Sequence, residues 1–496
     1  MEVKPLAYHF DLRAKLWYWL YLPETVLNDE EASDGACSIA QLPFEVLEQI
    51  FLAYYASSIV CTVTAPEFPD QQLPISPKSK LECHFGRIMA APITLGGVCR
   101  EWRAVTLATS ALWSHLCLVR PASMEDLDFF HLWLRRSGSY VPLDISLKEF
   151  SRLPGSRHFP DYLLQSILDI IISQSHRWRH IRLCLKDSTE HFLHELHPSL
   201  HSLTSLETLH FDFTPTWTIP QVERLSRSLY SAPNLVSLRY DGPLLSDLRD
   251  FDAPWEQITT IEFKTRIRWD VLVGVLSRSK QLRSLTVDHI AFDAFFHAEV
   301  GSLHLPFLQT LILGPHLLLP VEFFGSLDSP NLQELGLTKT FGYQFDDAFT
   351  AISELVQRTQ CQLRSLTWFE PSGNVGLPPR DFIIRSLIPT TADFLQHLVH
   401  LIIVSPTTDE HLNALAHLDD DHCPLPHLET LILEQCWSTD GALSSMLVSR
   451  ALSKFDMKLT YVRAVLFGTG MIVNPRFTTD LSLRLTGIQL DVSKGL

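Results

Sequence analysis

The sequence predicts an α/β chain in which a small all-α segment precedes a solenoid built on a parallel sheet. Three observations carry this. A short apolar motif, two apolar residues three apart with a third two further on, recurs along most of the chain. Its central residues follow one another at intervals of 23 to 35 residues. Ahead of the motif, two stretches instead place apolar residues at helical spacings of three and four.

The motif appears as Leu206-x-x-Leu209-x-Phe211, Leu235-x-x-Leu238-x-Tyr240, Ile258-x-x-Ile261-x-Phe263 and Leu282-x-x-Leu285-x-Val287. It continues as Leu308-x-x-Leu311-x-Leu313, Leu332-x-x-Leu335-x-Leu337, Leu363-x-x-Leu366-x-Trp368, Leu398-x-x-Leu401-x-Ile403 and Leu428-x-x-Leu431-x-Leu433, with a weaker early copy at Trp178-x-x-Ile181-x-Leu183. A drifting period of this size is the signature of leucine-rich repeats. Each copy is a strand and the turn leading into it. Its inward residues cannot be covered within one unit, so successive units must stack in parallel to bury them. Pro233-Asn234, Pro330-Asn331 and Pro426-His427 supply the turns. Helical stretches such as 220–229 and 347–356 fill the intervals on the convex side. The asparagine ladder of regular repeats is missing. Residues between the buried ones, among them Thr208 and His210, Ser237 and Arg239, Thr260 and Glu262, and His400 and Ile402, face solvent on the concave strand face.

The N-terminal elements follow a different rule. Residues 1–36 form an extension that ends in an acidic, small-residue stretch. A helix is expected over 39–56. Pro43 suits its first turn, Glu45 favours its dipole, and Val46, Leu47, Ile50 and Phe51 share a face. Residues 57–88 are expected to be an inserted loop, since Pro66, Pro69, Pro74 and Pro77 interrupt them. A second helical stripe joins Leu95, Val98, Cys99, Trp102 and Val105, followed by Leu112-Trp113. This divides the chain into 1–36, a helical domain 37–120, and a solenoid 121–496. The tail around Met471 to Leu485 alternates like a strand and is expected to cap the repeats.

The charge of −16 argues against nucleic acid as a partner, because phosphate recognition needs a surplus of lysine and arginine. No apolar run is long enough to span a membrane, and the N-terminus lacks the pattern of a secretory signal. Nine scattered cysteines without a CxxC pair indicate free thiols in a reducing compartment, cytoplasm or nucleus.

Leu42-Pro43-x-Glu45-Val46-Leu47-x-x-Ile50-Phe51, followed by Val98-Cys99-Arg100-x-Trp102-Arg103 and Leu112-Trp113, resembles an F-box. With the repeats behind it, the chain is similar to the F-box proteins with irregular leucine-rich repeats that are abundant in mushroom-forming fungi. The resemblance implies a three-helix domain that docks on a Skp-family adaptor, and through it on a cullin–RING ubiquitin ligase. It also implies that Leu42, Pro43, Val46, Leu47, Ile50, Phe51, Val98, Cys99, Trp102, Leu112 and Trp113 supply the adaptor contacts, shared with packing of the helices on each other. The chain departs from the family in its wide separation between the two halves.

The expected role is therefore that of a target-recognition subunit of an SCF-type ligase, an adaptor and not an enzyme, with a protein target on the repeats. The alternative is an interaction scaffold without ligase docking. His191, His194, His197 and His201 have near-ligand spacing, but Pro198 interrupts them and no carboxylate or cysteine completes a metal set; the similar run from His411 to Cys423 reads as an exposed acidic loop before Pro424. Cys99 reads as a packed thiol. No phosphate loop or hydrolase motif is present, so no cofactor and no metal are expected.

Overall fold

The computed structural model describes residues 42–63, 87–119, 124–148, 161–185, 203–213, 226–227, 229–242, 253–291, 302–314, 321–338, 345–369, 395–416, 425–451, 459–467, 480 and 488–494. The N-terminal extension, the four histidines 191–201, the segment 64–86 and most of 417–424 and 468–487 lie outside them. The chain forms two compact units, Met1–Leu206 and Glu207–Leu496. The first repeats thus cluster with the helices that precede them.

In the first unit, three helices come first: α1 (Phe44–Val63), α2 (Arg87–Gly96) and α3 (Arg100–Ala108). The α1 helix begins at Phe44 because the Pro43 carbonyl accepts the Val46 and Leu47 N–H groups at 3.0 and 3.1 Å. It continues to Val63, into the stretch expected to be a loop. The stripe expected to be one helix from Leu95 to Val105 is two. Glycines at 96 and 97 end α2, where Gly97 and Val98 N–H groups close on the carbonyls of Thr94 and Leu95. A single 3-10 turn, Ser110–Trp113, leads into the first strand.

Strands β1 (His115–Val119), β2 (Leu143–Lys148) and β3 (Trp178–Leu185) follow, with α4 (Met124–Arg136) and α5 (Asp161–Ser173) between them. They are parallel and in register, Leu116 beside Ile145 beside Ile181, and Leu118 beside Leu147 beside Leu183. The repeats therefore begin earlier than the Trp178 copy. Trp113-x-x-Leu116-x-Leu118 matches Trp178-x-x-Ile181-x-Leu183 in spacing and in detail. Each tryptophan is buried, and each indole N–H donates to the carbonyl seven residues back, Thr106 at 2.8 Å and Ile171 at 3.0 Å. Arg177, 4% exposed, ties this stack together by donating to the Val141 carbonyl at 2.9 Å and the Ser137 hydroxyl at 2.8 Å.

The second unit is one parallel sheet. Its strands are β4 (Thr208–Phe213), β5 (Ser237–Asp241), β6 (Thr260–Arg268), β7 (Ser284–Ala291), β9 (Thr310–Leu313), β11 (Glu334–Thr338), β12 (Ser365–Phe369), β13 (His400–Thr408), β14 (Thr430–Trp437), β15 (Tyr461–Phe467) and β16 (Gln489–Lys494), in that order. A small parallel pair, β8 (Leu303–His304) and β10 (Leu327–Asp328), lies apart from it. Helices α6 (Trp269–Arg278), α7 (Val321–Ser326), α8 (Phe345–Thr359), α9 (Asp409–Leu415) and α10 (Ala442–Ala451) connect strands. The central motif residues form one buried row, from Leu209 and Leu238 through Ile261, Leu285, Leu311, Leu335, Leu366 and Leu401 to Leu431 and Val462. This is a leucine-rich-repeat-type α/β solenoid.

What replaces the asparagine ladder is the backbone itself. The carbonyl just before each strand accepts two N–H groups from the next repeat. Gln309 accepts from Gln333 and Glu334 at 2.9 Å each, and Arg364 accepts from Val399 and His400 at 2.8 and 2.9 Å. Two turn amides add to this, Asn331 donating to the Pro306 carbonyl at 2.6 Å and Gln257 to that of Leu235 at 3.2 Å. Such pairing satisfies polar groups that stacking would otherwise bury without partners. Arg450, 1% exposed, reaches the carbonyls of Leu415 at 2.8 Å and Leu425 at 2.9 Å and pins α10 to the preceding repeat.

Candidate docking surfaces

Two faces present side chains that the fold itself does not use up. The first is on α1. Leu47, Phe51 and Tyr55 recur every four residues and are buried. Phe51 meets the Trp102 ring edge-on at 4.8 Å, and the Thr109 hydroxyl donates to the Glu48 carboxylate at 3.3 Å. Burial, and then the nearby Asp144 carboxylate, push the Tyr55 phenol well above its usual range. This row fixes the helix. Beside it runs a second apolar row with the same spacing, Val46, Ile50 and Tyr54, exposed by 41%, 46% and 49%. Phe44 extends the exposed apolar set to the start of the helix. A surface helix ordinarily turns polar residues to water. This one carries apolar side chains at Phe44, Val46, Ile50 and Tyr54 that are 41–49% exposed.

Burial divides the eleven residues expected to meet an adaptor. Leu47, Phe51, Leu112 and Trp113 are core, between 0% and 2% exposed, so their surfaces are spent inside the unit. Trp113 opens the first repeat, three residues before Leu116, and its indole N–H makes the same seven-residues-back bond as that of Trp178. Leu42, Cys99 and Trp102 are half-buried, and Pro43, Val46, Ile50 and Val98 are exposed. Val98 leaves the stripe assigned to it because it sits in the break between α2 and α3. Cys99 occupies the N-cap position of α3 in extended backbone, and burial pushes its thiol up, away from nucleophilic chemistry. Spacing could not have separated these roles, since the buried and exposed rows of α1 are neighbours with the same four-residue repeat.

The second face is the side of the second unit's sheet that is turned away from the motif leucines. Strand register arranges its residues in lateral rows, two of which change from charged to mainly apolar along the sheet. On β4 to β7 they are charged: Lys264 bridges Glu262 at 2.9 Å and Asp288 at 3.4 Å, Arg239 approaches Glu262 at 3.5 Å, and His210 approaches Asp212 at 3.2 Å. Burial would lower the Lys264 ammonium, but Glu262 and Asp288 outweigh it and hold it raised. Asp241 stands in register with Asp212. Burial, then the Asp212 charge, push its carboxyl up to about 6. From β9 to β14 the row of Arg239 and Glu262 continues as Ile312, Gly336, Thr367, Ile402 and Ile432, and the next row carries Phe369 and Val404, while the row of Thr310, Glu334, Ser365, His400 and Thr430 stays polar. Charge returns on β14 and β15, where Arg463 lies 3.5 Å from Glu434. Strand register reveals this change along the sheet, which the pairs of solvent-facing residues taken strand by strand do not.

Among the described residues, no group of histidine, cysteine, aspartate or glutamate is arranged to hold a metal ion, and no helix is long and apolar enough to cross a membrane. His411, one of the residues with near-ligand spacing, is buried in α9, where it completes a capping box with Thr408 at 2.8 Å.

No family model matches the chain, and neither does any curated protein. Solved structures similar to it include a leucine-rich-repeat protein of Leptospira interrogans, 16% identical over 66% of this chain and 68% of that one, with a TM-score of 0.33. Another is an internalin from Listeria monocytogenes, 12% identical over 77% of this chain and 88% of that one, with a TM-score of 0.35. The assignment of the fold rests on the strand register and the buried leucine row described above.

Proposed function

We propose that the chain is the target-recognition subunit of an SCF-type ubiquitin ligase. Helices α1 to α3 dock on a Skp-family adaptor, and the open sheet face of the second unit holds a protein target. The observation that carries the docking half is the double row on α1. Leu47, Phe51 and Tyr55 build the domain, while Val46, Ile50 and Tyr54 leave an apolar stripe in water along the first three turns of the helix. A residue such as Ile50 gains roughly 1 kcal/mol from covering its exposed half, so a few of them together give a usable interface. Pro43 and Val98 are exposed as well and join the proposed contact set. Chemistry resides in the other ligase subunits, so no catalytic group is assigned to this chain. The described cysteines Cys99, Cys184, Cys361 and Cys436 are free, which supports a reducing compartment, cytoplasm or nucleus.

Co-expression with a Skp-family adaptor tests the proposal. Wild-type chain retains the adaptor through size exclusion, and Ile50→Asp loses it while keeping the wild-type melting temperature. Equal retention by wild type and Ile50→Asp, or no retention at all, would leave the alternative, a repeat scaffold that works without a ligase.

A further inference from the structure

We infer that the segment held on the open face is an extended stretch of target protein with a lysine or arginine about four residues from one apolar side chain and a second apolar side chain about four residues beyond. The inference rests on the target-recognition reading above and names the class of target.

The apolar half is Ile312, Ile402 and Ile432, which share a register row with Gly336 and Thr367, with Phe369 and Val404 beside it. All five apolar side chains are partly exposed. Between them the face is low: Gly336 carries no side chain, and Ile312 lies 3.2 Å from where its Cβ would be. The strip is two rows wide, about 7 Å, which suits an extended chain better than a helix of about 10 Å diameter.

The charged half is Asp241. Most charges around it are already matched: Glu262 and Asp288 hold Lys264, Arg239 faces Glu262, and Arg268 pairs with Asp270 at 2.7 Å. Arg266, exposed past the β6 bulge, leans the same end of the face toward neutrality. Among the described residues, no hydrogen bond or ion pair reaches the Asp241 carboxylate; Arg239 and Lys264 draw on it from further off, and its register neighbour on β4 is the like-charged Asp212. Like charges side by side on adjacent strands oppose each other. A cation brought by a target side chain relieves that opposition, and an acidic one worsens it.

Register sets the spacing. From β5, which carries Asp241, to β9, which carries Ile312, there are three strand intervals, and from β9 to β13, which carries Ile402, there are three more. Three intervals of about 4.8 Å make about 14 Å, or about four residues of extended chain at roughly 3.3 Å each; Asp241 lies one row beyond Ile312, an offset of about 7 Å that a long basic side chain bridges.

The test uses the full-length protein and an array of synthetic twelve-residue peptides of randomised sequence. The selected peptides share a lysine or arginine and two apolar residues at the stated spacing. Asp241→Asn weakens these peptides about tenfold and leaves their Lys→Met counterparts unchanged, while Ile402→Asp removes both. Selection without a basic preference, an apolar spacing of nine or ten residues as a helix would give, or wild-type binding by Asp241→Asn overturns the inference. Adaptor retention is measured on the same preparations. Loss of retention with peptide selection intact strikes the docking proposal and supports this one, whereas retention without any selection overturns this one alone.

Discussion

Replacing Asp480 by alanine should loosen the C-terminal repeats more than any surface change. The side chain is 1% exposed, yet its carboxylate is fully engaged. One oxygen accepts the Gly441 N–H at 3.0 Å, and the other accepts the Ser444 N–H at 2.9 Å and the Ser444 hydroxyl at 2.6 Å. These are the donors at the start of α10, so a residue 36 positions downstream of Ser444 caps the helix from outside. Loss of a cap costs about 1 kcal/mol. Leaving the buried Ser444 donors without an acceptor adds about 1–3 kcal/mol. The sum, about 3 kcal/mol, lowers the melting temperature of a unit this size by roughly 6–12 °C. Because repeats open locally, hydrogen exchange is the sharper assay: amides of α10 should exchange about a hundredfold faster, with those of β5 and β6 unchanged. Asp480→Asn keeps one acceptor and should fall between. A loss under about 0.5 kcal/mol, or unchanged exchange at Ser444, would refute the claim that this contact holds the helix.

The two rows of α1 should respond oppositely to mutation. Leu47→Ala should cost about 2–4 kcal/mol in urea unfolding, while Ile50→Asp should stay within about 0.5 kcal/mol. The raised Asp241 carboxyl, at about 6 against an ordinary 3.8, makes its ionised form unfavourable in the folded chain, so it weakens the fold as pH rises through that window. Asp241→Asn should therefore leave stability unchanged below pH 3.8 and raise it above pH 6, by about 1 kcal/mol after allowing for solvent screening, as a pH series of melts would read. Gly314→Ala would place a methyl 2.5 Å from the Asp288 Cα and should cost about 1–3 kcal/mol, whereas Gly325, with nothing within 4 Å of its site, should accept alanine without loss. Thermal unfolding of the pair checks this.

Repeat register was legible in the sequence because burial repeats with it: every copy from Leu206 to Leu433 became a strand with its central residue in the core row. The copies that escaped notice lacked the signal for identifiable reasons. Trp113 also completes the helical pattern that precedes it, which hides the first anchor of the motif that leads into β1. On β15, Leu459-x-x-Val462-x-Ala464 carries an alanine that is 0% exposed but too small to register as an apolar anchor. The backbone ladder leaves no side-chain trace, so absence of asparagine looked like irregularity. Arg177 and Arg450 look like surface cations in a sequence and prove to be buried, because the carbonyls they satisfy belong to other elements. On α1 the apolar pattern was read correctly as a helix, but a helix apolar over more than half its circumference does not announce which part is core. Gly96-Gly97 was the available warning that the Leu95–Val105 stripe could not be one helix.

The shared tryptophan has a consequence for how this protein could be taken apart. Trp113 closes the helical motif and opens the first repeat, and its indole binds the last turn of α3 while its ring meets Trp133 edge-on at 4.7 Å. No spacer exists at that point to cut. An expression fragment ending after the helices would expose a repeat core, and a chimera joined there would graft half a repeat onto a stranger. A transplantable docking module must instead carry β1 to β3 with it. Recombination that exchanged target-binding repeats while keeping the docking helices would have to break the chain beyond Leu185, where the first unit's described strands end.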